Sequence, residues 1–148
     1  MVDQLSQQTL PNTMLWLGYT GLAPFVAVPL VQYFGVGEMA WLQSLLNAYA
    51  FGIISFLCGS WWRADTKAGS KTTALMLSNV LFLLGFFGFV FVPKYWPLLA
   101  SILLLLLFFV EHYTPLIAGF SRSYRLMRAI LSVVASITLA LSFFLVPS

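Results

Sequence analysis

The chain predicts an all-α bundle of five transmembrane helices, and three observations carry that prediction. Five long apolar runs take up most of the 148 residues, each near the roughly 20 residues that a helix needs to cross a hydrocarbon core. Hydrophobic residues make up 61% and charged residues 7%, against about 25% charged in a soluble domain, which leaves no composition for a water-facing surface. Apart from Glu111 and His112, near the end of one run, the charged residues lie in the tails and connections. Five spans use about two thirds of the chain, so residues 1–148 are expected to form a single transmembrane domain with no separate soluble one.

The first span is expected at about 14–34. The polar stretch before it, Val2 to Thr9, lacks the basic residues that head a secretory signal, and the run is longer than a signal core, so it reads as a retained helix. Pro24 and Pro29 fall inside it. Each removes a backbone donor and crowds the carbonyl one turn back, which predicts a kink that neighbouring helices must re-satisfy. The second span, about 41–62, follows the turn Gly35-Val36-Gly37-Glu38 and carries tryptophan at both ends, as an aromatic belt would. Ser44, Ala48, Gly52, Ser55 and Gly59 fall at spacings of three and four along it, one strip of small residues that permits close approach of another helix. Asn47 and Cys58 share a neighbouring face, with Gln43 one turn before Asn47.

The third span, about 73–92, contains Asn79 and a second small-residue face of Ala74, Ser78 and Gly85. The short Pro93-Lys94-Tyr95-Trp96-Pro97 connection forces the next helix back as an antiparallel neighbour. Pro97 suits a first helical position. The fourth span, about 97–114, runs through Leu103 to Val110 to reach Glu111 and His112, with Pro115 expected to end or kink it. Its leucine-rich middle has no polar face and is expected to touch lipid over much of its circumference. The fifth span, about 124–146, has Arg122, Arg125 and Arg128 at its start and Ser132, Ser136 and Ala140 as its strip of small residues. No internal repeat is visible.

With five spans, the amino-terminus and the connections after spans two and four share one side, which holds Arg63, Lys67, Lys71, Arg122, Arg125 and Arg128. The other side holds Lys94. That bias predicts a cytoplasmic amino-terminus and an outside carboxyl-terminus. The net charge of +3 sits in short stretches beside apolar runs, so anionic lipid head groups at the cytoplasmic face are the expected partners and nucleic acid is not.

Glu111 is the first residue to mark, because a carboxylate at the end of an apolar helix is costly unless paired or wetted. If the hairpin turns near Gly119, Glu111 and Arg128 lie at similar depth, with Arg125 one turn nearer the surface. An ion pair locking the hairpin is the favoured reading, and a proton or anion relay with His112 alongside is the alternative. His112 is the one histidine and Cys58 the one cysteine, so neither a metal cluster nor a disulfide framework is expected. Gln43, Asn47 and Asn79 fit interhelical hydrogen bonds better than a polar path. Cys58 fits packing rather than reactivity. No paired carboxylates, nucleophile–base pair, phosphate-cradling glycine loop or metal-ligand spacing is present, so no cofactor and no enzymatic activity is expected. Tryptophans 41, 62 and 96 have an interfacial explanation.

The stretch Leu17-Gly18-Tyr19-Thr20-Gly21-Leu22-Ala23-Pro24-Phe25, then Tyr49 and Ser55-Phe56-Leu57-Cys58-Gly59-Ser60-Trp61-Trp62, resembles the domain-of-unknown-function family 3429, which includes transmembrane protein 69 of animals. Leu77-Ser78-Asn79 and Tyr124-Arg125-Leu126-Met127-Arg128 also look like that family, so the likeness covers nearly the whole chain. The family pattern in the second helix has paired glycines before a basic residue and tryptophan; this chain has Cys58 and Trp61 there, so no role of that basic residue transfers. The resemblance implies a small five-helix protein of the bacterial inner membrane and brings no activity with it.

Two functional classes are therefore weighed. The first is a membrane interaction or assembly factor, working through a membrane-protein partner or a second copy of itself. The second is a small-solute, proton or lipid pathway lined by Asn47, Asn79 and Glu111. The lack of charge deep in any helix favours the first.

Overall fold

The computed structural model describes residues 12–63, 68–114 and 121–145. Its elements are α1 (Asn12–Thr20), α2 (Ala23–Tyr33), α3 (Met39–Ser60) with a 3₁₀ turn at Trp61–Arg63, α4 (Ala68–Phe91), α5 (Trp96–Tyr113) and α6 (Arg122–Leu145). Among the described residues there is no strand. Five stretches are long and apolar enough to cross a membrane: Leu15–Tyr33, Met39–Ser60, Lys71–Phe91, Trp96–Tyr113 and Arg122–Leu145. The chain is an all-α, multi-pass membrane bundle. The amino-terminal polar stretch, Lys67, Pro115, Gly119 and Val146 lie outside the described residues.

The first span is broken rather than bent. α1 stops at Thr20, and the chain restarts as a helix at Ala23, with Pro24 in the first turn of α2, where a missing donor is harmless. At the break the carbonyl of Gly21 accepts the Tyr49 hydroxyl from α3 at 2.9 Å, so a neighbouring helix satisfies a backbone group that lipid could not. Pro29 sits inside α2 without ending it. The turn into α3 needs positive φ at Gly35 (67°) and Gly37 (87°), a region that glycine reaches without strain. At the far end of α5, Thr114 is extended, as the residue before a proline is pushed to be.

α6 packs against α1, α2 and most extensively α5; α3 packs against α2, α4 and α5; and α4 returns to α5. The elements thus close on one core. At its centre Leu46, Ala50 and Ile54 of α3 meet Leu103, Leu104 and Leu107 of α5 and Ala135 and Leu139 of α6, with Phe25 from α2. The small residues on α4 and α6 are inside: Ala74, Ser78, Ser132 and Ser136 are buried, and Ala140 is half-buried. Ser101 and Ser136 exchange hydroxyl-to-carbonyl bonds between α5 and α6 at 2.9 and 3.2 Å, which draws those two backbones together.

Two expectations, for the strip on α3 and for Trp96, are corrected. The strip on α3 does not form the intramolecular core: Ser44, Ala48, Gly52 and Gly59 are exposed and Ser55 is half-buried. A Cβ built at Gly52 or Gly59 meets nothing within 4 Å. The buried face of α3 is the larger-residue one, Leu46, Ala50, Ile54, Leu57 and Cys58. The Ser44 and Ser55 hydroxyls bond back to the carbonyls of Ala40 and Phe51 in their own helix. The leucine-rich middle of α5 is two-sided: Leu103, Leu104 and Leu107 are buried in the core, while Ile102, Leu106 and Phe109 are exposed on the outer side, as expected of a helix that touches lipid over much of its circumference. Lipid and a neighbouring helix are equally apolar, so hydropathy does not tell them apart. Trp96, expected at the interface, is fully buried; it packs on Phe51 and Phe89 and donates its indole N–H to the Asn47 carbonyl at 2.9 Å. Trp41 and Trp62 are exposed near the two ends of the second span, where an aromatic belt lies.

Candidate functional site

The charged and amide side chains of the interior collect at the two opposite ends of the bundle, and the buried serines Ser101, Ser132 and Ser136 lie between them. One end is built by the close of α3, the close of α5 and the start of α6. There Glu111 and Arg128, both buried, form a two-pronged ion pair: Arg128 Nε donates to Glu111 Oε2 at 2.8 Å, and Nη2 donates to Oε1. Both groups also bond to further protein partners. Trp61 Nε1 donates to Glu111 Oε1 at 2.7 Å. Arg128 Nη2 also donates to the Ser60 hydroxyl at 2.8 Å, and Nη1 to the Tyr124 hydroxyl at 3.0 Å.

Burying a carboxylate and a guanidinium is tolerable only when the pair is close and its leftover donors and acceptors are filled. The planar guanidinium meets that demand, since its fork matches the two carboxylate oxygens. The cluster therefore ties α3, α5 and α6 together through charge-assisted bonds, with every donor named above pointing at a protein acceptor. This is the geometry of a lock on the α5–α6 hairpin. The depth argument from sequence placed the two partners correctly. It did not identify Trp61, Ser60 and Tyr124 as their partners. Tyr124 was readable, being one helical turn before Arg128; Ser60 and Trp61 needed the packing of α3 against α5 to be known.

At the opposite end lies an amide cluster. Gln32 of α2, buried, donates Nε2 to Gln43 Oε1 at 3.1 Å; Gln43 Nε2 donates to Asn47 Oδ1 at 3.0 Å and to the Ser142 hydroxyl at 3.4 Å. This group joins α2, α3 and α6. Gln43 makes the interhelical bonds expected of it, and Asn47 joins through both its side chain and its carbonyl. Gln32 and Ser142 were not marked in the sequence. Gln32 Oε1 is buried with no acceptor bond among the described residues.

Asn79 stands apart from both clusters. It is exposed on α4, its Nδ2 bonded to the Leu75 carbonyl of its own helix at 3.0 Å, and it borders a shallow cleft with Ser55, Cys58 and Gly59. Asn47, Asn79 and Glu111 are thus held in three different places with different partners. Cys58 is buried beside the apolar core. His112 and Arg125 are exposed; with Arg122 they border a groove of about 390 Å³ between α5 and α6, whose inner wall includes Glu111 and Arg128. His112 packs beside Phe108 and Tyr113. Among the described residues no three histidine, cysteine, aspartate or glutamate side chains converge as metal ligands would.

A family model described as a protein of unknown function (DUF3429) matches residues 10–144 of the chain. No curated protein and no solved structure matches it.

Proposed function

The chain belongs to the DUF3429 family, and on that premise we propose that it is a non-enzymatic membrane interaction or assembly factor whose working part is the outer surface of the bundle. The observation that carries this reading is the displaced strip on α3. Ser44, Ala48, Gly52 and Gly59 face outward, with open space over both glycines. Small residues along a membrane helix let a second backbone approach closely, and the bundle's own core makes no use of this face. The partner is a second membrane-spanning chain, and the surrounding partners are lipids.

The interior supports the same reading. A pathway needs polar groups continuous across the membrane. Here the apolar layer of Leu46, Ala50, Ile54, Leu103, Leu104 and Leu139 lies between the Glu111–Arg128 and Gln32–Gln43–Asn47 clusters, and of the buried serines at that level, Ser101, Ser132 and Ser136, Ser101 and Ser136 spend their hydroxyls on backbone carbonyls. The proposed setting is the bacterial inner membrane, with the end that carries Trp61, Glu111 and Arg128 toward the cytoplasm, following the excess of Arg and Lys on that side.

Single cysteines at Gly52, Gly59 and, as a control on α5, Ile102 test the proposal in native membranes, in a Cys58→Ser background with a short bifunctional maleimide. The expected result is a discrete adduct with another membrane-spanning chain from Gly52→Cys and Gly59→Cys and none from Ile102→Cys. Equal labelling at all three positions, or no adduct at either glycine, overturns it.

A further inference from the structure

The groove between the end of α5 and the start of α6 has two chemically different parts. Phe108, Leu126 and Ala129 make its apolar part, beside the paired Glu111 and Arg128 of the inner wall, and the exposed Arg122 and Arg125 make its cationic part. These two cations lack a carboxylate partner among the described residues. The chain has four carboxylates: Glu111 is committed to Arg128, Glu38 lies on the turn at the opposite end of the bundle, and Asp3 and Asp65 lie outside the described residues. Arg122 and Arg125 also stand in the first turn of a 24-residue helix, where the backbone dipole disfavours positive charge and favours an anion beside it.

We propose that this groove binds an anionic phospholipid, with its phosphodiester held by Arg122 and Arg125 and an acyl chain lying on Phe108 and Leu126. The guanidinium fork fits a phosphate better than a point charge does. The site sits at the end of two membrane-spanning helices, the level of lipid head groups. A free phosphate has the same anion chemistry but would leave Phe108 and Leu126 uncovered, and that difference selects the lipid. The site is separate from the outer face of α3, so its failure leaves the interaction proposal standing.

Native mass spectrometry of the full chain in detergent, titrated in parallel with phosphatidylglycerol, phosphatidylcholine and inorganic phosphate, tests it. Retained phosphatidylglycerol with little phosphatidylcholine is expected. Arg122→Gln with Arg125→Gln should weaken phosphatidylglycerol binding about thirtyfold, from roughly fivefold for each basic residue near a membrane surface, and Arg125→Gln alone about fivefold if the double variant does not fold. Leu126→Ser should weaken it as well, while Lys71→Gln, a cation at the same end outside the groove, should not. Undiminished binding by the arginine variants, an equal loss from Lys71→Gln, or phosphate competing at the concentration of the lipid would each overturn the assignment.

Discussion

Glu111 is buried one turn from the end of a membrane helix, and what keeps it there is a full set of partners: Arg128 through both carboxylate oxygens and Trp61 through its indole. The approximate depth of Glu111 and Arg128 was legible because a carboxylate in an apolar run demands a cation at its own level. Trp61 was not, because a tryptophan near a span end reads equally well as a belt residue, and only the seating of α3 against α5 turns its N–H inward. The same ambiguity hid Trp96, whose burial depends on the space beside Phe51 and Phe89. The lock makes a prediction at this scale. Glu111→Gln or Arg128→Gln alone should each destabilise the protein by about 3–5 kcal/mol, because each strands a buried charge, while the double variant recovers part of that loss. Thermal unfolding of the four proteins in one detergent reads it. Losses that simply add, with no recovery, would mean that the two groups do not depend on each other.

At the scale of the elements, helix number and approximate ends followed from run length and charge placement, and all five spans appear within a few residues of where hydropathy puts them. Which face of each helix turns inward was only partly legible. The small residues of α4 and α6 are inside, whereas the equally regular strip on α3 is outside, and nothing in the local pattern distinguishes the two cases. The outcome depends on which neighbour supplies bulk. On α3 that bulk is Leu46, Ile54 and Leu57, which meet the leucines of α5. The proline signal in the first span was legible, but it produced a break with its own cross-helix repair. Tyr49→Phe removes the hydroxyl that caps the Gly21 carbonyl and should cost about 1 kcal/mol, seen as a lower thermal midpoint with faster proteolysis near Gly21. On α4, a side chain at Gly88 would run into Leu99 and press on Trp96 at 3.4 Å. Gly88→Leu should therefore overpack the α4–α5 contact and cost about 1–3 kcal/mol, and an unchanged midpoint would show that these two helices have room to separate.

The whole molecule is a largely apolar bundle tied by charged and amide clusters at its two ends and by the Ser101–Ser136 bonds between them, with an unfilled small-residue face on one side. The proposed orientation rests on the charge bias: a reporter active only outside the cytoplasm should work when fused after Ser148 and fail when fused after Lys67, and the reverse pattern would invert the proposed topology. What the sequence could not supply was the division of its buried charged and amide residues into separate end clusters, since that depends on which helices are neighbours. That division, with the outward strip on α3, underlies the claim that the surface rather than the interior is the functional part. One comparison tests that claim most directly. The double variant Gly52→Leu with Gly59→Leu is measured twice, for thermal midpoint as a purified protein and for crosslinking from Ser44→Cys in native membranes. The account predicts an unchanged midpoint and a lost crosslink, because the added side chains enter open space within the chain and block only an approaching partner. A lowered midpoint would place the strip inside the protein's own core, and a crosslink of undiminished strength would remove this face as the site of interaction.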